Sequence, residues 1–105
     1  MKKNEKEALA QLKRVLLERF AVRRLVLYGS KARGQAAPDS DVDVMVELEE
    51  YTPAIESDID EAVFEINLAY DCLISTVIFG RTELEIGALG ESPLYRKIER
   101  EGITL

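Results

Sequence analysis

The sequence predicts an α+β domain in which helices pack on a mixed β-sheet of three or four strands, and three observations carry that reading. Apolar residues recur at helical spacing from Glu5 to Phe20 and again after Pro53, whereas Asp41 to Leu48 alternates strictly between apolar and other residues, apart from Met45. Only a turn and a loop separate the first two strand-like runs, which suits antiparallel neighbours. The second and third are joined through a helix, the usual crossover between parallel strands. At 105 residues the chain is large enough for one core that buries roughly two-thirds of its unfolded surface, so residues 1–105 read as one domain.

From Glu5 to Phe20, Leu9, Leu12, Val15, Leu16 and Phe20 mark the inner face of a first helix, with Lys, Arg, Glu and Gln filling most other positions. Arg23 to Tyr28 is short and β-rich, a first strand that Gly29 ends. Residues 30–34 read as a brief helical turn, and Gln35 to Ser40, which contains Pro38, as an exposed loop. In the second strand Val42, Val44, Val46 and Leu48 share one face and Asp41, Asp43, Met45 and Glu47 the other. Thr52-Pro53 is an N-cap followed by proline, opening a helix that turns Ile55, Ile59, Val63, Ile66 and Tyr70 inward. Its acidic residues, Glu56, Asp58, Asp60, Glu61 and Glu65, read as a solvated outer face.

Leu73 to Phe79 is a third strand, apolar enough to be placed centrally in the sheet, and Gly80 ends it. Thr82 to Glu85 carries a capping-box pattern for a short helix that fails near Gly87 or Gly90. Ser92-Pro93 starts a last helix, Leu94 to Glu101, stopped by Gly102. The apolar tail, Ile103 to Leu105, is expected to pack on its own domain. With this order the end of the first strand (Gly29, Ser30), the start of the second (Asp41, Asp43) and the entrance to the third (Asp71 to Ser75) meet at one edge of the sheet.

Composition removes several function classes. There is no histidine, which excludes Ser-His and Cys-His catalysis and His-ligated zinc. A net charge of -6 argues against direct nucleic-acid binding, whose affinity rests on Lys and Arg. Cys72 is the only cysteine, so no intrachain disulfide forms; its apolar neighbours suggest a buried, inert thiol, and a cytoplasmic location fits. The N-terminal residues run into an amphipathic segment and are not read as a signal peptide, and no stretch reaches transmembrane length.

The chemistry concentrates in Tyr28-Gly29-Ser30-Lys31-Ala32-Arg33-Gly34 and Ser40-Asp41-Val42-Asp43. The Gly-Ser turn can face backbone N–H groups to an anion, Lys31 and Arg33 add positive charge, and Asp41 and Asp43 project from one strand face where they can share a divalent cation. Two familiar motifs fail. Gly29-x4-Gly34 has P-loop spacing, but Gln35-Ala36 stands where Lys-Ser/Thr must follow. Asp39, Asp41, Asp43 and Glu50 fit an EF-hand loop, but Val44 stands at the position of its obligatory glycine. Magnesium favours one or two carboxylates plus phosphate oxygens and water, so nucleotidyl transfer suits these residues; the plainer alternative is a turn and a loop end with no ligand.

Gly29-Ser30 followed by Asp41-Val42-Asp43 resembles the Gly-Ser-x10-Asp-x-Asp signature of minimal nucleotidyltransferase (MNT) domains of the DNA polymerase beta superfamily. The resemblance implies an α+β fold with a nucleotidyltransferase-like mixed sheet, Gly29 and Ser30 at the nucleotide phosphates, and Asp41 and Asp43 on Mg2+ as catalytic residues. It further implies transfer of AMP from ATP to a hydroxyl, with a tyrosine of a HEPN-family toxin as acceptor and this chain as the antitoxin. The family completes its metal site with a third carboxylate on the strand after the helix; here Ser75 holds that seat, and Asp71, four residues earlier, is the alternative. A second reading is therefore a noncatalytic module that neutralises a basic partner by occlusion. A homodimer is a further expectation, because closed two-fold assemblies are common.

Overall fold

The computed structural model of the chain describes residues 1–35 and 37–105; Ala36, in the loop expected over Gln35 to Ser40, lies outside the described residues. The elements are α1 (Lys3–Arg19), β1 (Val22–Tyr28), α2 (Gly29–Arg33), β2 (Val42–Leu48), α3 (Pro53–Tyr70), β3 (Ile74–Gly80), α4 (Arg81–Glu85), a 3-10 turn (Ala88–Glu91), α5 (Pro93–Glu101) and β4 (Ile103–Thr104). They form an α+β fold on a four-stranded mixed sheet in the order β3-β2-β1-β4. β1 runs antiparallel to β2 and β4, and β2 runs parallel to β3 across the α3 crossover.

The alternation of β2 splits the core between two faces of the sheet. Val42, Val44, Val46 and Leu48 are all but fully buried with Leu12 and Leu16 of α1 and Ile59 and Val63 of α3. Met45, on the other face, is buried with Val26, Phe79 and Ile98 of α5. The caps hold as expected: the Thr52 hydroxyl accepts from the Ile55 N–H (3.1 Å) and the Ser92 hydroxyl from the Tyr95 N–H (3.1 Å). The Thr82 cap does not form, because Gly80 takes the capping position two residues earlier than the capping box requires.

β3 is an edge strand, where its apolar content suggested a central one. The reason is that helices cover both its faces: Ile74 and Ile78 pack with the α1–α3 core, and Val77 and Phe79 pack under α5. A strand covered on both faces reads as continuously apolar whatever its place in the sheet. Leu73 is left outside the strand and exposed. Cys72 is half-buried and not buried; its thiol lies 3.6 Å from the Asn67 Oδ1, and burial, with Glu5 and Asp71 nearby, pushes its pKa up. The tail packs at home: Val26 pairs with Thr104, Leu27 with Ile103, and the Leu105 N–H donates to the Leu25 carbonyl (2.9 Å).

Candidate functional site

Gly29 opens α2 with φ +74°, and a Cβ built there would stand 2.5 Å from Oδ2 of Asp43. Glycine is required twice over, by the left-handed backbone and by the close approach. Asp43 is thereby seated against the Gly-Ser turn. On β2 it has Tyr28 of β1 directly across on one side and Ser75 of β3 on the other, so the row Tyr28–Asp43–Ser75 crosses the sheet on one face. Asp41 lies two residues earlier and is exposed.

Burial pushes the Asp43 carboxyl above its usual range, and the negative charge of Asp41 adds to the shift. The Tyr28 hydroxyl is pushed up for matching reasons, burial first and then the charge of Asp43. Neither aspartate forms a salt bridge or side-chain hydrogen bond among the described residues. Two hard oxygen donors of like charge, with no basic partner, form a donor set that suits Mg2+ completed by phosphate oxygens and water. Among the described residues, no group of three or more Asp, Glu or Cys side chains is placed to hold an ion.

Asp71 is the C-cap of α3, in the left-handed region (φ 51°), and β3 begins only at Ile74. It is therefore off the strand, with its carbonyl accepting from the Asn4 side chain (3.0 Å), and it does not share the row of Asp43. Ser75 does share that row and is exposed. Ser30 is half-buried at the second position of α2. The two basic residues of the turn are each held by an acid. Lys31 Nζ lies 3.2 Å from Glu5 Oε1, and both side chains are almost completely buried (3% and 5% exposed). Arg33 Nη1 lies 3.0 Å from Glu101 Oε2 at a half-exposed position.

Sequence reading missed Glu5, whose partner is 26 residues away and on another element. Burial alone would raise its carboxyl, but the Lys2 backbone N–H (2.8 Å) and Lys31 outweigh that and hold it below the usual range. Tyr28, the first residue of the stretch singled out in the sequence, lies on the strand that pairs with β2 and stands directly across from Asp43. A second polar cluster sits four residues farther along the same face of β2. The buried Glu47 accepts from Tyr95 (3.1 Å) and pairs with Arg24 (3.3 Å) and Arg23 (3.5 Å), beside a cleft of about 560 Å³. Arg24 also pairs with Glu99, so these charges are mutually satisfied and clasp α5 to the sheet.

The fold is that of the nucleotidyltransferase family, as comparisons with known proteins show. The Nucleotidyltransferase domain model matches residues 9–103, and the chain belongs to that family. A solved structure provisionally described as a minimal nucleotidyltransferase superposes with a TM-score of 0.62 at 25% identity, over 95% of this chain and 94% of its own. Protein adenylyltransferase MntA of Thermococcus cleftensis is 53% identical over 38 residues, 36% of this chain and 38% of its own. A Methanocaldococcus jannaschii protein provisionally named a protein adenylyltransferase is 42% identical over 45 residues, 43% of this chain and 45% of its own. The chain thus matches less than half the length of these two relatives. Among the described residues, no helix is long and apolar enough to cross a membrane.

Proposed function

We propose that this chain is a Mg2+-dependent protein adenylyltransferase that moves AMP from ATP to a tyrosine hydroxyl of a HEPN-family toxin and so acts as its antitoxin. The observation that carries the reading is the seating of Asp43 against Gly29 with Asp41 beside it, a pair of unneutralised carboxylates at a Gly-Ser turn. Relatives named protein adenylyltransferases support the reaction class, and the resemblance to MNT domains supports the acceptor.

In this reaction the acceptor oxygen forms a bond to the α-phosphorus, the bond from that phosphorus to pyrophosphate breaks, and the hydroxyl proton is released. Asp41 and Asp43 would hold Mg2+, which when bound neutralises phosphate charge in the transition state. The α2 backbone and Ser30 orient the phosphates, and catalysis rests on positioning more than on covalent chemistry by the protein. Arg33 reaches a phosphate only by exchanging Glu101 for it. Lys31, buried against Glu5, fixes the turn in place.

A second reading is favoured by one specific observation, the hydroxyl of Ser75 in the row of Asp43 where another carboxylate would complete a larger metal site. It is a module that binds nucleotide and partner without turnover. The deciding experiment is incubation of the protein with labelled ATP, Mg2+ and a HEPN-family toxin. Labelled toxin, lost with Asp41→Ala and Asp43→Ala, supports the enzyme. Neutralisation of the toxin without label, retained by the double variant, supports the binding module.

A further inference from the structure

The outer surface of α3 is built unlike the outer surface of its neighbour α1. On α1 the exposed acids are matched by bases one turn earlier, Glu7 by Lys3 (4.0 Å) and Glu18 by Arg14 (3.6 Å). α3 contains five carboxylates and no Lys or Arg. Asp58, Asp60, Glu61 and Glu65 are exposed and take part in no ion pair among the described residues.

In the middle of this acidic surface stand two large apolar side chains one turn apart. Phe64 and Leu68 are 63% and 69% exposed, on the side of α3 opposite Ile59, Val63 and Ile66. A merely solvated helix face has no use for them, since apolar stripes on helices are kept for burial. Beside the stripe a groove of about 580 Å³ runs between α3 and α1, lined by Ala62, Glu65, Ile66 and Ala69 of α3 and by Val15 and Arg19 of α1. The small alanines leave room for a side chain from outside.

We infer that the outer face of α3, centred on Phe64 and Leu68, docks a basic amphipathic helix of a partner protein. The stripe offers anchors at the i, i+4 spacing of helix-on-helix recognition, and the flanking carboxylates select Lys and Arg on the partner helix. Charge decides between occupants. A second copy seated through the same helix would set these carboxylates against their own kind, and an anionic surface would be repelled. α3 covers the Val42–Leu48 face of the sheet, whereas Asp43 and Ser75 lie on the opposite face, so a docked partner leaves the nucleotide end free. This inference stands whether or not the chain transfers AMP.

The test uses a fluorescein-labelled peptide of about 18 residues, made of Leu and Lys, with Leu at i, i+3, i+4 and i+7. Its controls are a scrambled peptide of the same composition and a Leu/Glu counterpart. Anisotropy should show the amphipathic Leu/Lys peptide binding the whole protein, weakened by salt, and about tenfold more weakly bound by Phe64→Ser with Leu68→Ser. Glu61→Lys with Glu65→Lys keeps the stripe and should exchange preference towards the Leu/Glu peptide. Both variants change surface residues and should keep the wild-type denaturation midpoint. Equal binding of the scrambled peptide, or binding untouched by the Phe64 and Leu68 substitutions, would overturn the inference. So would light scattering that shows a wild-type dimer dissociated by Phe64→Ser, which would assign the face to a second copy.

Discussion

Asp43 of β2 and Ser75 of β3 occupy the same rung of the parallel ladder and project from the same face of the sheet. The partner across the strands is thus a neutral hydroxyl, and the carboxylates on this face at the start of β2 are Asp41 and Asp43. Two carboxylates suit one hard cation carried with a triphosphate; a second cation would find few ligands here.

Ser75→Asp should change metal binding before anything else. Without a cation, a third like charge beside Asp43 lowers stability by up to about 1 kcal/mol, read as a drop in melting temperature. Mg2+ or Mn2+ should restore it, and calorimetric titration with Mn2+ should show tighter binding than in the wild type. An unchanged metal affinity would mean that Ser75 does not border the cation site.

Asp43→Asn should separate stability from ligand binding. The Asp43 carboxyl is held above its ordinary value in the fold, so its ionised form destabilises the folded state at neutral pH, and that penalty fades as pH falls through the raised value. The variant should therefore melt higher than wild type at pH 7 and equal it in acid. Stabilisation by Mg-ATP should disappear in the same variant.

Much of this arrangement is legible in the sequence and part of it is not. The alternation from Asp41 into β2 places Asp41, just before the strand, near Asp43, and connection lengths alone give the antiparallel and parallel pairings. The edge position of β3 is not legible, because Val77, Ile78 and Phe79 are apolar for the sake of helices above and below the strand. Nor are the partners of Lys31 and Arg33. Glu5 and Glu101 are distant in sequence, and nothing in a local pattern reports which carboxylate a folded chain brings to a lysine.

Gly29→Ala and Gly34→Ala form an internal control. Both positions have left-handed backbone, costing an alanine about 1–2 kcal/mol. Only at position 29 does the new Cβ meet the Asp43 carboxylate; at position 34 nothing among the described residues lies within 4 Å. Denaturant unfolding should show a loss in both variants, larger for Gly29→Ala, and thermal shift should show that Gly34→Ala alone keeps its response to Mg-ATP.

Lys31→Met should cost about 3–5 kcal/mol, because it strands the Glu5 carboxylate in the interior, whereas Glu5→Met combined with Lys31→Met should cost much less. The pH dependence carries a matching sign. The Glu5 carboxyl is lowered in the fold, so it contributes stability that is present above the ordinary carboxyl value of about 4.5 and is lost as pH falls through the lowered one. Urea titrations across that window should be flatter for the double variant than for wild type.

Glu101→Gln should free Arg33 for phosphate. The pair is partly exposed and screened, so the gain in ATP affinity is a few-fold, about what a surface ion pair of 0.2–1 kcal/mol supplies. Arg33→Gln should lose affinity by a larger factor, and a filter-binding assay at two salt concentrations separates the two effects.

The five residues of α2 are grasped from both directions along the chain, by Glu5 from the opening helix and by Glu101 from the closing one. A triphosphate that draws Arg33 away releases one grip and leaves the other in place. Occupancy should then be transmitted unequally. Amide hydrogens in the last turn of α5 and in β4 should exchange faster on nucleotide binding, while those of α1 keep their protection, so the far end of the polypeptide becomes a natural reporter of the state of the site.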